Sequence, residues 1–239
     1  ISLNKFSILN NFKKVDNNYY SIIPISNENF ITAKGEIFSV NQLIADLKLP
    51  FRITAIVPAC ENAVDSNSFM PSDVIQSYSG HSIEIIDTDA EGRLILADGI
   101  SYLLKNYNPE TIIDLATLTG SAVGTFGYEC AALFSNNPEL SKALQQSGDE
   151  IGERMWQLPL WDEYKQDIES EIADVKNYSG KPVAGAISAA KFLEVFTANH
   201  TSWAHLDIAG VAFIDDEFAK TKHASAFGVH LLSKFIENL

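Results

Sequence analysis

The sequence predicts an α/β fold: a central mixed, mostly parallel sheet with helices on both faces. Apolar, β-branched runs of strand length alternate along the chain with segments of helical periodicity. Strands that alternate with helices form mostly parallel sheets covered on both sides. The 239 residues contain no internal repeat and no low-complexity linker, so we expect one domain over 1–239.

Four apolar runs are predicted to be neighbouring strands of one sheet. They are FRITAIVPA (51–59), HSIEIIDTD (81–89), TIIDLATL (111–118) and WAHLDIAG (203–210). β-Branched residues dominate the first and third runs, which is typical of buried strands. Residues 61–75 are rich in Ser, Asn and Asp and are predicted to form a loop.

Helical spacing of apolar residues predicts the intervening helices. In 40–49, for example, Val40, Leu43, Ile44 and Leu47 recur at that spacing. The other predicted helices cover 96–110, 137–156, 185–200 and 225–239. The small-residue segment 119–127 is predicted to be a loop or the start of a helix.

Composition excludes several classes of protein. A net charge of −14 argues against nucleic acid and against anionic membrane surfaces as partners. No apolar run approaches the roughly 18 residues of a membrane span. Two cysteines are too few for a disulfide framework, which favours a reducing, cytoplasmic compartment. The first residues do not have the pattern of a secretory signal. The chain opens with Ile1 rather than Met, so we expect an upstream piece that was removed or never included.

An acidic segment, IDTDAEGRLILA (86–97), carries the strongest chemical signal. Asp87, Asp89 and Glu91 are two residues apart, so on an extended strand all three side chains would project from one face. Gly92 permits a close backbone approach, and Arg93 adds a permanent cation. Two interpretations remain open at this point: a solvated acidic turn between strands, or a divalent metal site.

Any metal site in this chain must use mainly oxygen ligands. The five histidines form no HxxxH pair and have no cysteine partners at zinc-finger spacing. Hard cations and zinc both accept carboxylate oxygens, and such an ion would offset the repulsion among the three acids.

TDAEGRL (88–94) resembles the signature of the leucyl (cytosol) aminopeptidases, a family of two-metal exopeptidases. Other segments resemble the family in the same order over residues 49–239, namely 57–75, 112–127, 156–164, 172–180, 184–193 and 203–210. The resemblance implies an α/β catalytic domain, assembled as a hexamer, that removes apolar N-terminal residues from peptides. The apolar segment MWQLPLW (155–161) favours a homo-oligomer as well.

The resemblance also implies roles for individual residues. Asp89 and Glu91 fall on metal ligands, and the metals expected are two ions of zinc or manganese, with magnesium as a third option. Arg93 falls on the arginine that holds bicarbonate, and its planar guanidinium suits a planar oxyanion. Leu118, Thr119 and Gly120 fall on a segment that lines the substrate cleft.

Polar residues near these motifs also have plainer interpretations. His205 and Asp207 alternate along an apolar strand, and from the sequence alone they are a buried, hydrogen-bonded polar pair. Glu61 and Asn62 either support the metal site or cap their loop. Without the resemblance, Thr117 and Thr119 are best interpreted as ordinary hydroxyls at a strand end.

The chain departs from the family pattern before residue 49. The family supplies two lysines and two further aspartates there, but residues 1–48 hold no such series. Lys34, in FITAKGEIF (30–38), could stand for the first lysine ligand, whereas an alternative alignment puts Ala33 at an aspartate position. Both alignments lose at least two aspartate ligands and the catalytic lysine. Asp87 is an added candidate ligand where the family has asparagine.

Two functional hypotheses follow. The first is a metalloaminopeptidase, and the second is a degenerate homologue that keeps the fold and assembly surface with weak or no chemistry. A third possibility is that the missing segment belongs to the natural protein and is absent from this sequence. With Asp89 and Glu91 as the main ligands, we expect one weakly bound ion at most.

Overall fold

The computed structural model describes residues 12–15, 19–22, 51–58, 60, 62, 66, 68–214 and 223–239. The strands are β1 Phe12–Val15, β2 Tyr19–Ile22, β3 Val74–Gln76, β4 Ser82–Glu84, β5 Ile112–Ala116, β6 Ala131–Ser135, β7 Met155–Gln157, β8 Val175–Lys176, β9 Trp203–Asp207, β10 Phe213–Ile214 and β11 His223–Ala224. The helices are α1 Gly92–Tyr107, α2 Gly120–Phe126, α3 Pro138–Ile151, α4 Gly185–Val195 and α5 Val229–Glu237, with a 3-10 turn at Asp162–Asp167.

A four-stranded mixed sheet forms the centre of the described fold, in the order β5-β9-β6-β7. β5 and β9 are parallel, with Ile112 opposite Trp203 and Ala116 opposite Asp207. β6 is parallel to β7 and antiparallel to β9. A three-stranded sheet, β3-β4-β8, pairs β4 with β8 in parallel. The predicted α/β class with a mixed, mostly parallel sheet is therefore confirmed.

Helices cover both faces of the central sheet. Trp203 joins a core cluster that contains Leu94 of α1 and Phe192 of α4. The next residue of β9, Ala204, joins a second cluster with Leu144 of α3 and other apolar side chains. Because successive strand side chains point to opposite faces, the two clusters lie on opposite sides of β9. Within the described part of the chain, no helix combines the length and the apolar character that crossing a membrane requires.

Two of the four predicted strands do not join the central sheet. Segment 51–58 contributes only an isolated bridge at Thr54, and residue 59 lies outside the described residues. Segment 81–89 is extended only over β4, which belongs to the three-stranded sheet. β4 ends because the N–H of Ile86 bonds to the side chain of Asn177 rather than to a neighbouring strand. The predicted neighbours in 111–118 and 203–210 are confirmed as β5 and β9.

The predicted helices are largely confirmed, but their ends shift. α1 begins at Gly92, four residues before the predicted start at residue 96, and ends before Asn108, which adopts a left-handed conformation with φ 46°. The helix predicted over 137–156 ends at Ile151, because Gly152 has φ 81° and closes the last turn. Residues 155 and 156, predicted as helix, belong to β7 (Met155–Gln157) instead.

The remaining helical predictions vary in their outcome. Segment 119–127 forms helix α2, whose first turn is capped by the Thr119 side chain. Segments 185–200 and 225–239 are helical over shorter spans, in α4 and α5. The predicted helix 40–49 lies outside the described residues.

Candidate active site

The three acids lie on a tight turn between β4 and α1, residues 86–91, which we call the acid loop. The Oδ1 atom of Asp87 accepts a hydrogen bond of 2.9 Å from the N–H of Asp89, and the N–H of Ala90 bonds to the Asp87 carbonyl at 3.3 Å. An aspartate side chain that accepts a hydrogen bond from the backbone N–H two residues later stabilises a turn. The prediction that the acids share one face of a strand is therefore wrong.

One buried side chain, the carboxamide of Asn177, holds the acid loop closed. Its Oδ1 accepts from the N–H groups of Ile86 at 2.8 Å and Asp87 at 3.3 Å. Its Nδ2 donates to the carbonyls of Asp87 at 2.7 Å and Ala90 at 3.4 Å. Asn177 is fully buried, so all four contacts are made away from solvent.

Arg93, on the first turn of α1, is buried beside the acid loop with 6% of its surface exposed. Its Nη1 donates a hydrogen bond of 2.9 Å to the main-chain carbonyl of Asn177. Its Nε has no hydrogen-bond partner among the described residues. Burial lowers the pKa of Arg93, and the carboxylates of Asp207 and Asp87 oppose that change. A guanidinium stays charged under such conditions.

The carboxylate of Glu91 is left without full charge compensation. Burial is the main cause that raises its pKa, and the neighbouring charges of Asp89 and Asp87 raise it further. The Glu91 backbone N–H and the cation of Arg93 act in the opposite direction without cancelling the increase. A half-buried carboxylate of this kind favours either a proton or a nearby cation.

Asp207, at the end of β9, fixes the segment that follows β5. Its Oδ1 accepts from the N–H groups of Leu118 at 3.1 Å and Thr119 at 3.3 Å, and its Oδ2 accepts from the Thr119 hydroxyl at 2.6 Å. The same hydroxyl accepts from the N–H of Ala122 and caps α2, whose first residue is the exposed Gly120. Two main-chain N–H groups of the segment that was predicted to line a cleft are therefore already occupied by Asp207.

His205 bonds to a different partner from Asp207. Its Nδ1 lies 2.5 Å from Oδ1 of Asp114, and the second oxygen of Asp114 accepts from the indole N–H of Trp203 at 2.8 Å. Burial lowers the pKa of His205, but the Asp114 carboxylate outweighs that effect and the net pKa is raised. His205 and Asp207 are both buried, as predicted, but His205 is held by Asp114 within β5, whereas Asp207 is held by residues just after β5.

A full metal centre is not found among the described residues. No group of three or more His, Cys, Asp or Glu side chains there is arranged to hold an ion. The carboxylates of Asp87, Asp89 and Glu91 offer oxygen donors of the right chemistry, but too few for two ions. Lys34 and Glu61 lie outside the described residues, and Asn62 is described and exposed.

The catalytic-domain model of the cytosol aminopeptidase family matches residues 34–233. The chain belongs to the cytosol aminopeptidase family. It is 48% identical over 204 residues to a "Probable cytosol aminopeptidase" of Chloroherpeton thalassium, a match over 85% of this chain and 40% of that protein. A protein of the same name from Chlamydia caviae is 50% identical over 196 residues, 81% of this chain and 39% of that protein.

A third family member, from Chlorobaculum tepidum, is 50% identical over 188 residues, 79% of this chain and 37% of that protein. This chain therefore aligns with about two fifths of the length of the curated cytosol aminopeptidases that it matches.

The sequence did not mark two residues that organise the site. Asn177 belongs to the family-like segment 172–180, but neither charge clustering nor periodicity distinguishes it from other loop asparagines. Asp114 sits inside an apolar strand, and a lone acid in such a run was a detectable signal of a buried partner. That partner is the imidazole of His205.

Proposed function

We propose that this chain contributes to metal-dependent removal of leucine-like N-terminal residues from peptides. The observation that supports this most directly is the buried Arg93 beside three carboxylates, within a chain whose residues 34–233 match the aminopeptidase catalytic domain. We take residues 1–239 as a single domain of that catalytic type, in which the family match begins at residue 34, earlier than the start at residue 49 expected from the sequence.

In this proposal Asp89 and Glu91 are the principal metal ligands. The raised pKa of Glu91 marks a carboxylate that a cation would stabilise, and Asp89 is exposed and accessible. Asp87 and Lys34 are lesser candidates, because the Asp87 carboxylate also closes the turn. Zinc or manganese is the expected ion, with magnesium as a third option, and a bound divalent ion would polarise a peptide carbonyl.

Arg93 is proposed to hold a small planar oxyanion such as bicarbonate. Its Nη1 is committed to the Asn177 carbonyl, whereas its Nε has no partner among the described residues. A buried N–H donor without a partner costs free energy, and a planar anion can satisfy it together with a neighbouring guanidinium N–H. Leu118, Thr119 and Gly120 are the proposed walls of the peptide cleft.

A second candidate function is that of a degenerate homologue with weak or no activity. The small number of candidate ligands favours this second function, because the described residues hold no group of three side chains that could bind a metal ion. Two ions with few ligands bind weakly, and hydrolysis by the described residues alone would be slow.

Assembly and location are proposals as well. Trp156 and Trp161 are each 64% exposed, an unusual exposure for tryptophan that suits a subunit contact. We propose a cytoplasmic homo-oligomer, a hexamer as the family implies, that acts on peptides and not on nucleic acid or membranes. Light scattering at micromolar concentration tests it, and a purely monomeric chain contradicts it.

The activity is tested by hydrolysis of leucine p-nitroanilide with and without added Mn²⁺. We expect slow release of nitroaniline that requires the metal, is abolished by Asp89→Ala, and is absent for the N-acetylated substrate, which lacks a free amine. Exposed Asp149→Ala is the matched control and should leave the rate unchanged. Hydrolysis that persists in the presence of a chelator contradicts the proposal.

A further inference from the structure

Asn177 is hydrogen-bonded to both parts of the candidate site, the acid loop and Arg93. The carboxamide of Asn177 makes four contacts with the acid loop, to Ile86, Asp87 and Ala90. Its main-chain carbonyl accepts the hydrogen bond of Arg93. The arginine and the acids thus keep their relative positions through a residue more than 80 positions later in the chain.

The pairing of β8 with β4 places Asn177 beside the acid loop. β8 pairs with β4 in parallel, with Lys176 opposite Glu84, and the N–H of Asn177 continues the ladder by bonding to the Glu84 carbonyl at 2.9 Å. Both strands end at this point. After β4 the N–H groups of Ile86 and Asp87 bond to the side chain of Asn177 instead of to a neighbouring strand, and the chain turns there into the acid loop.

We propose that Asn177 is the positioning residue that sets the geometry of the acid loop relative to Arg93, and so sets the affinity of the acids for a divalent cation. The inference rests on the proposed function, because it takes Asp89 and Glu91 as ligands. Only a carboxamide offers an acceptor oxygen and two N–H donors on one planar group. Water cannot easily replace it, because Asn177 is fully buried.

Asn136, which is exposed rather than buried, provides a control for the loss of a bridging carboxamide elsewhere on the same central fold. Its Oδ1 accepts from the N–H of Trp203 at 3.0 Å, and its Nδ2 donates to the carbonyl of His200. This asparagine therefore also bridges distant segments through its carboxamide. Asn136 directly follows β6 and bonds to the first residue of β9, whereas Asp207 and the candidate site lie at the other end of β9.

The test uses the full chain and three variants: Asn177→Ala, Asn177→Asp and Asn136→Ala. Mn²⁺ affinity is measured by electron paramagnetic resonance titration, and amide exchange and melting temperature are measured alongside. Asn177→Asp discriminates most sharply, because the added carboxylate should tighten Mn²⁺ binding by simple electrostatics, whereas the lost donations should weaken it by positioning.

We expect both Asn177 variants to bind Mn²⁺ about 10-fold or more weakly, the loss typical when a group that orients ligands is removed. In Asn177→Ala the amides of Ile86 and Asp87 should exchange faster than in the parent. Asn136→Ala should keep the parent's Mn²⁺ affinity, even if its melting temperature falls as much as that of the Asn177 variants. Unchanged or tighter Mn²⁺ binding by Asn177→Asp overturns the inference, and so does a loss of affinity that merely follows melting temperature in all three variants.

A parent chain that binds Mn²⁺ and cleaves no leucine anilide contradicts the proposed function instead, and leaves the comparison of affinities intact.

Discussion

The Nη1 atom of Arg93 donates a hydrogen bond of 2.9 Å to the main-chain carbonyl of Asn177, 84 residues later. This contact joins two segments that resemble the aminopeptidase family separately, 88–94 and 172–180. It also occupies one guanidinium donor, whereas the buried Nε of Arg93 has no hydrogen-bond partner among the described residues. The chemistry proposed for the site depends on this orientation.

Arg93→Lys should destabilise the protein and weaken its affinity for bicarbonate. Lysine cannot reproduce the fork of the guanidinium, and a hydrogen bond to a charged group contributes about 1.5–3 kcal/mol. Urea unfolding measures the first effect, and bicarbonate titration followed by calorimetry measures the second. Arg154→Lys is the control, because Arg154 is exposed. Equal stability of the two variants would show that the buried contact is not important.

Glu91→Gln should leave the metal-free protein at least as stable as the parent at pH 7. The pKa of Glu91 is raised above its ordinary value of 4.5, so the folded state holds the proton more tightly than the unfolded state. That stabilisation is fully present below the unfolded pKa and is lost as pH rises through the folded pKa. Glutamine removes this pH dependence and also a proposed metal ligand.

Urea unfolding of Glu91→Gln between pH 4 and pH 7 checks this expectation, with exposed Glu110→Gln as the control. The stability of the parent relative to Glu91→Gln should be greatest at the acid end. A variant that loses stability specifically at pH 7 would mean that the Glu91 carboxylate is already compensated by residues of this chain.

Asp207→Ala should destabilise the protein much more than Thr119→Ser. Alanine leaves the N–H groups of Leu118 and Thr119 without their acceptor, and each hydrogen bond to a carboxylate contributes about 1.5–3 kcal/mol. Serine keeps the hydroxyl that donates to Asp207 and caps α2. Denaturant unfolding of both variants gives the comparison, and a difference below about 1 kcal/mol contradicts the assigned role of Asp207.

His205 should make stability fall as pH rises above neutrality. Its pKa is raised above 6.5 in the folded state, so its contribution is fully present below the unfolded pKa and is lost as pH passes the folded pKa. In Asp114→Asn burial is the largest remaining influence on the imidazole, with smaller opposing effects of Asp207 and Arg93, so we expect its folded pKa to drop below the unfolded value and the slope to change sign. Urea midpoints between pH 5 and pH 9 report both slopes.

Exposed His223→Gln is the control for this titration and should keep the parent profile. Identical slopes in the parent and in Asp114→Asn would mean that Asp114 does not control the charge of His205.

Much of the fold could be predicted from the sequence, because its signals are local. β5 and β9 are apolar runs of strand length, and Gly152 ends α3 where a glycine with φ 81° is expected to end a helix. β4 was predicted too long because its end is not a local property. A side chain from residue 177 replaces the strand partner, and apolar patterning contains no information about that contact.

The conformation of the acid loop was not predicted from the sequence, and the roles assigned to its residues stay predictions. A spacing of two among Asp87, Asp89 and Glu91 fits a strand and a turn equally well, and the turn forms because Asp87 bonds the N–H of Asp89. The family resemblance correctly placed the chain, as the match over 34–233 shows. It could not reveal that Asp207 occupies the N–H groups of Leu118 and Thr119.

Metal stoichiometry of the purified chain tests the central claim most directly. Bound Mn²⁺ per chain is counted at equilibrium by electron paramagnetic resonance and again by mass spectrometry after dialysis against metal-free buffer, and both counts are compared with the rate of leucine anilide hydrolysis. We predict at most one ion, weakly held and lost on dialysis, with Asp89→Ala removing even that binding without unfolding the domain. Two ions retained through dialysis, together with rapid metal-dependent turnover, would contradict this account and establish the chain as a complete aminopeptidase.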